Sequence, residues 1–254
     1  MWKLYDELYI GIPSGIRITG CVIGEKWTIV RIDGNIGIAR TLELPENAAS
    51  FASGFVGRFL RDVAGHLYWP TLTHASVGVA AMNAWYNTPE RVAGLNGNQK
   101  SLPISGKTAY VGDCGGDGAF LLPMTPDFDA SVYEKLCDYD NVIIASEALI
   151  TRALTKLLCI IRNDANVILE GFSLPATALF YSFGLPVKEI RGYYAKFSDT
   201  VEACATINLT DPGVGALPFC IRPKSINRIH ESEKTKAALN STYKSVKFNN
   251  YFND

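Results

Sequence analysis

Histidine is scarce in this 254-residue chain: three residues, at 66, 74 and 230, none within an H-E-x-x-H or H-x-E pattern. A histidine-built catalytic metal site is therefore not indicated, and each imidazole is expected to be structural or superficial. Cysteine is thinly spread as well, at 21, 114, 137, 159, 204 and 220, with no C-x-x-C pair. That spacing excludes a zinc ribbon or a dithiol redox motif. Cys21 and Cys159 lie in apolar segments and read as small buried hydrophobes. An excess of one charge is missing too: 24 Lys and Arg face 25 Asp and Glu, a formal net charge of -1. No global field then draws the chain to nucleic acid or an anionic membrane. No apolar run approaches the roughly 18 residues of a membrane span. Acids at Asp6 and Glu7 stand where a signal peptide would be apolar, so the chain reads as cytoplasmic. Neither G-x-x-x-x-G-K-[ST] nor G-x-S-x-G occurs, so no P-loop or nucleophile elbow is spelled out.

What the chain does have is a normal core-forming balance, 48% hydrophobic and 19% charged, at a length that suits two modest domains. Residues 1–10 pattern as a short amphipathic helix stopped by Pro13-Ser14-Gly15. Strand-like runs follow at 16–23, 27–32 and 36–41, the last two flanking Asp33-Gly34-Asn35, a hairpin signal. An antiparallel meander is expected. Phe51, Phe55, Phe59, Leu60 and Val63 recur at helical spacing, which predicts one helix starting near Ser50. A second helix is expected over 76–86, rich in Gly78, Ala80, Ala81 and Ala84. Asn83 and Asn87 share one of its faces, where their amides need water, backbone or a ligand.

A Gly/Asn/Ser/Pro-rich stretch at 94–106 is the best candidate linker, dividing a domain over 1–98 from one over 105–222, with a polar helix or tail over 223–254. In the second part, strands are expected at 107–112, 141–145, 165–169 and 187–191. Helices alternate with them. Capping boxes are expected at Ser131-x-x-Glu134 and Asp199-x-x-Glu202, and one long helix over 147–161. The alternation implies βαβ units and a parallel sheet, giving an α/β protein with an α+β first domain.

In such sheets ligands bind beyond the C-terminal strand ends. Three loops should meet there: 112–120, Ser146-Glu147, and Gly171-Phe172-Ser173-Leu174-Pro175. The first reads Gly112-Asp113-Cys114-Gly115-Gly116-Asp117-Gly118. It lacks the G-x-G-x-x-G spacing, and its carboxylates would repel a pyrophosphate, so a dinucleotide is not favoured. Asp113, Cys114 and Asp117 offer hard and soft donors for a cation; the same loop could equally be a glycine-rich turn with solvated aspartates. Ser173, ahead of Pro175, is expected to cap a helix and leave backbone N–H groups facing the cleft.

Several segments resemble, in order over residues 1–208, an uncharacterised family of proposed heavy-metal chelation proteins. They are Trp2-x-Leu4-Tyr5-Asp6, Gly24-x-x-Trp27-Thr28, Ala39-Arg40-Thr41, the run from Ser76 to Ala84, Val111-Gly112, the run from Ser146 to Thr151, and Phe180-Tyr181-x-Phe183-Gly184. The resemblance implies an enolase-N-terminal-like domain followed by a Rossmann-like domain, with the ligand site in the cleft between them. It leaves room for a homodimer. It implies a small-molecule partner, a divalent or heavy metal ion or its chelate. The candidate ligand-binding residues are Trp27, Thr28, Arg40, Thr41, Asn83, Asn87, Gly112, Glu147 and Ser173, while Asp113, Cys114 and Asp117 are metal donors read from the glycine loop itself, where the sequence departs from the family's His-Phe-Pro-like turn. Two alternatives stay open. One is an enzyme acting on a small anionic substrate, with Glu147 as acid or base and Cys114 as nucleophile. The other is a structural protein with a vestigial cleft.

Overall fold

Three short strands make the first sheet because a two-residue turn lets them fold back on one another. β1 (Ile18–Ile23), β2 (Trp27–Ile32) and β3 (Asn35–Arg40) form an antiparallel meander in that order. Asp33-Gly34 closes the β2–β3 hairpin, with Gly34 at φ 77°, a conformation that glycine takes at no steric cost. This is a computed structural model, and it describes residues 2–114, 120–196 and 215–223. α1 (Lys3–Ile10) precedes the sheet, burying Leu4, Tyr5 and Leu8.

The helix expected from Ser50 is broken. α2 (Ala48–Ser53) stops, the chain turns through Gly54 and Gly57, and α3 (Leu60–Ala64) begins afresh. The interruption has a physical reason: Gly57 donates to the Ile18 carbonyl, Ile18 donates to Arg58, and Arg17 bridges Phe59, so the break pairs with the end of β1. A 3-10 turn (Gly65–Tyr68) leads into α4 (Leu72–Tyr86), the longest helix among the described residues, which extends past the expected 76–86 at its start. Its small residues let it lie on β3. A Cβ on Gly37 would come within 2.0 Å of the Ala80 carbonyl oxygen and the Ala84 nitrogen. α5 (Pro89–Gly94) follows, capped by the Thr88 hydroxyl.

The second sheet joins β4 (Thr108–Val111), β5 (Asn141–Ala145), β6 (Asn166–Glu170), β7 (Val187–Ala195) and β8 (Ala216–Ile221) in sequential order. The first four are parallel, as expected, and β8 is antiparallel to β7. Among the described strands the order never reverses, so these five form no switch-point crevice of the doubly wound kind. β8 was not anticipated, since Pro218 argues against a strand everywhere except at an edge, which is where β8 lies.

Three helical expectations are corrected here. The helix over 147–161 splits into α6 (Glu147–Ile150) and α7 (Leu154–Ile160) at Arg152, which has φ 62°. The Ser131 capping box does not form: the Asp129 carboxylate caps a 3-10 helix (Ala130–Asp138) through the Ser131 N–H. Ser173 caps no helix either, because Thr177 takes that role for the 3-10 turn Ala178–Tyr181. Asp199-x-x-Glu202, His230 and the polar end beyond residue 223 lie outside the described residues.

The two sheets meet directly. One face of β2 and β3 packs on α4. The other presents Trp27, Ile29, Ile36 and Ile38 to Phe172, Tyr193, Ala195 and Ala216. The antiparallel sheet is thus a middle layer, covered on both faces, as its apolar residues at successive positions require.

Candidate functional site

Strand geometry brings three loops to one edge. Gly112, just past β4, has φ 85°, and a Cβ there would lie 2.7 Å from that of Ala145. Gly171, just past β6, has φ 134°, and its Cβ would lie 2.3 Å from Ser146 Oγ. Both positions accept only glycine without displacement, so the chain ends of β4, β5 and β6 stay close.

A chain of hydrogen bonds then ties this edge to the first sheet. The Arg40 N–H donates to Ser173 Oγ at 2.9 Å, the Ser173 N–H donates to Ser146 Oγ at 3.2 Å, and that hydroxyl lies 3.2 Å from Glu147 Oε2, to which it donates. The Arg40 guanidinium stands over the Trp27 ring at 5.0 Å, and Trp27 meets Phe172 edge-on at 4.9 Å. Phe172 in turn stacks on Tyr193 with ring centroids 3.9 Å apart. Arg40 makes no ion pair with any described residue.

Burial pushes the Glu147 carboxyl above its ordinary range, while its own backbone N–H, the Arg40 charge and Ser146 pull it back; Asp113 adds to the rise. Cys114 is half-buried, and its thiol donates to the Val111 carbonyl at 3.5 Å. Burial first, then Glu170, Glu147 and Asp113, push that thiol up to about 12. It is therefore a neutral group at physiological pH, neither an activated nucleophile nor a ready thiolate ligand.

Arg40, Trp27, Glu147, Ser173, Gly112, Asp113 and Cys114 thus share one edge of the molecule. Ser173 and Trp27 are themselves buried there, and so are the other described residues singled out from the sequence as ligand-binding. Thr28 and Thr41 are buried with their hydroxyls 2.8 Å apart. Asn83 is fully buried; its Nδ2 donates to the Ile38 and Phe172 carbonyls, and its Oδ1 has no partner. Asn87 donates to the Leu174 and Tyr193 carbonyls and accepts from the Ala176 N–H, so its amide spans the seam between the two sheets. Asp117 lies outside the described residues. Cys21 is half-buried, as a small hydrophobe would be, whereas Cys159 is exposed on α7, against expectation.

Among the described residues no group of three or more His, Cys, Asp and Glu side chains is arranged to hold a metal ion. The charges at this edge are mixed: Arg40 acts on Glu147, while Glu170, Glu147 and Asp113 surround the protonated Cys114 thiol.

Sequence reasoning missed the neighbouring ion group. Glu170 ends β6 and pairs with Arg191 at 3.0 Å, and Arg191 also holds the wholly buried Glu189. Glu170 and Arg191 are in register across β6 and β7, a relation that spacing alone cannot reveal. They line a cavity of about 540 Å³ with Gln99, Ser101 and Cys220. A larger one, about 750 Å³, lies by the Asp33-Gly34 turn, Trp85 and Lys196. Neither is lined by Arg40, Cys114 or Glu147.

Residues 5–86 match the model of a family described as "Putative heavy-metal chelation". That segment runs from within α1 through the whole antiparallel sheet to the end of α4. Over most of its length the chain is also similar to solved structures of the DUF364 family, whose members here are of unknown function. One, from Desulfitobacterium hafniense, has a TM-score of 0.73 and 21% identity, covering 87% of this chain and 97% of that one. Another, from Pyrococcus horikoshii, has a TM-score of 0.65 and 14% identity, covering 87% and 98%. At such identities the likeness shows the fold. No curated protein matches the chain. No helix among the described residues is long and apolar enough to cross a membrane.

Proposed function

We propose that the protein binds a small metal chelate, held as an intact anion at the edge where the two sheets meet. One observation carries the reading: the Arg40 guanidinium is stacked on Trp27 with no ion pair to a described residue, beside a Glu147 held toward its neutral form. A guanidinium on an aromatic face, short of a carboxylate, suits a planar carboxylate-bearing ligand. The description of the family matched by residues 5–86 supports metal as the cargo, and the protonated Cys114 thiol, a poor ligand for a bare ion, favours a chelate.

The test is elemental analysis of the untagged protein, followed by calorimetric titration with zinc and copper ions alone, their citrate complexes, and metal-free citrate. Binding of the complexes, weakened about tenfold or more in Arg40→Met, is expected. Tight binding of the bare ions, lost in Asp113→Asn/Cys114→Ser, would move the site to the glycine loop. No binding of any probe would reject the reading.

Glu147 supports a second reading. A buried carboxyl beside a cation can serve as a general acid on a small anionic substrate. In that case Glu147→Gln would abolish turnover and leave binding intact.

A further inference from the structure

Away from this edge, the turn between α6 and α7 holds a buried charge with no counterion. Arg152 is only 7% exposed, yet it makes no ion pair with any described residue. Its Nη1 donates to the Trp69 and Leu67 carbonyls, and its Nε–H is buried without a partner. Two further orphans lie beside it. Tyr5 Oη, fully buried on α1, and Thr155 Oγ1, 4% exposed on α7, also lack hydrogen-bond partners. The three are neighbours: the backbone and side chain of Thr155 and the backbone of Leu154 stand close enough to the Tyr5 hydroxyl to favour its charged form, though none makes a well-aligned hydrogen bond to it, and the Arg152 charge acts on the same hydroxyl. The carboxylate whose charge reaches Arg152 is that of Asp127, which is exposed and forms no ion pair with it.

All three orphaned groups can donate a hydrogen bond, and one belongs to a permanent cation. Buried polar groups find partners in nearly every native protein, and a buried charge without compensation is far more costly than a buried hydroxyl. A single water would satisfy the hydroxyls, but it would leave the guanidinium charge unbalanced. A small anion answers both needs at once.

We propose that Tyr5 Oη, Arg152 Nε and Thr155 Oγ1 form a binding site for a small monovalent anion of halide size. Its place in the fold gives it a task. Arg152 sits at φ 62°, in the left-handed region that non-glycine residues rarely enter, at the turn that ends α6. α6 begins at Glu147, so an anion on Arg152 would brace the short helix that carries this carboxyl. The inference does not depend on the ligand proposed for the sheet edge, and its test involves no chelate.

The experiment is to collect anomalous diffraction from bromide-soaked crystals and to measure the melting temperature against sodium bromide, with sodium gluconate at matched ionic strength as reference. The expected result is an anomalous peak among the three donors and a saturable rise in melting temperature with bromide alone. Tyr5→Phe and Thr155→Val each remove one donor with little change of shape, and each should weaken the bromide response about tenfold. Absence of the peak, with equal responses to bromide and gluconate, would mean that a water fills the site and would overturn the proposal. So would a bromide response undiminished in both variants.

Discussion

Asn87 is where the two halves of the molecule are most directly bonded, and replacing it should loosen them measurably. Its amide donates at 2.9 Å to Leu174 and 3.0 Å to Tyr193 and accepts at 2.7 Å from Ala176, with the residue only 2% exposed. Asn87→Ala strands two carbonyls and one N–H. At about 1–3 kcal/mol for each unsatisfied buried group, and with Tyr193 only partly buried, a loss of about 3–5 kcal/mol is expected. Asn87→Asp should be worse at neutral pH. It turns two donors into a carboxylate facing two carbonyls, and acid should partly relieve it by protonation. Thr88→Ala, one residue on, supplies the scale: it removes only the cap on α5, worth about 1 kcal/mol. Equilibrium unfolding in urea, followed by tryptophan fluorescence, measures all three. If Asn87→Ala costs no more than Thr88→Ala, these bonds do not hold the seam.

Other positions give sharper local tests. Burial, then His74 and Arg58, lower His66 to about 4 from 6.5. The unfolded chain then takes up a proton near pH 6.5 that the folded protein refuses, so this stability is intact above that pH and is lost as pH falls toward 4, by up to about 3 kcal/mol. Urea midpoints of wild type and His66→Phe should diverge over that interval, and parallel curves would refute the assignment. With its thiol pushed up to about 12 by burial and nearby carboxylates, Cys114 should alkylate at least about tenfold more slowly at neutral pH than an unperturbed thiol. Mass spectrometry after iodoacetamide should therefore find the exposed Cys137 and Cys159 labelled first. Gly37→Ala drives a Cβ into the α4 backbone and should cost about 3 kcal/mol or more, whereas Gly34→Ala meets open space and should cost only the ~1–2 kcal/mol of its left-handed φ, as differential scanning calorimetry can measure.

Local chemistry decides which parts of this architecture a sequence can reveal. The hairpin was legible because Asp33-Gly34 satisfies a turn by itself, and strands β4 to β7 because apolar runs of strand length recur between helical patterns. The errors arose where distant partners overrule local preference. The periodicity from Phe51 to Val63 is genuinely helical, yet pairing with β1 at Gly57 and Arg58 breaks it. Leu149 to Leu158 forms a helical stripe, yet the chain turns at Arg152, whose guanidinium caps carbonyls more than eighty residues away. The site was half legible for the same reason. That Glu147 and Ser173 lie near one another follows from the rule that loops gather at strand ends, whereas Arg40 was singled out by the family resemblance alone. That Asn87 faces inward, or that Glu170 meets Arg191, depends on register and packing that no local pattern encodes.

The electrostatics of the edge allow a test of the ligand's charge without knowing its identity. Burial raises Glu147, and the Arg40 charge is among the forces that restrain the rise. An anion settling on Arg40 would cancel that restraint and add repulsion of its own, so Glu147 would hold its proton more strongly in the complex than in the free protein. Binding must then take up protons, and affinity must strengthen as pH falls through the range in which Glu147 titrates. Calorimetric titration in two buffers of different ionisation enthalpy, at mildly acid pH, reads this uptake directly. Arg40→Met should reduce it along with the affinity, and Glu147→Gln should abolish it while leaving the binding itself. Proton release on binding would mean that the ligand arrives as a cation, and the chelate reading would have to give way to a bare metal ion.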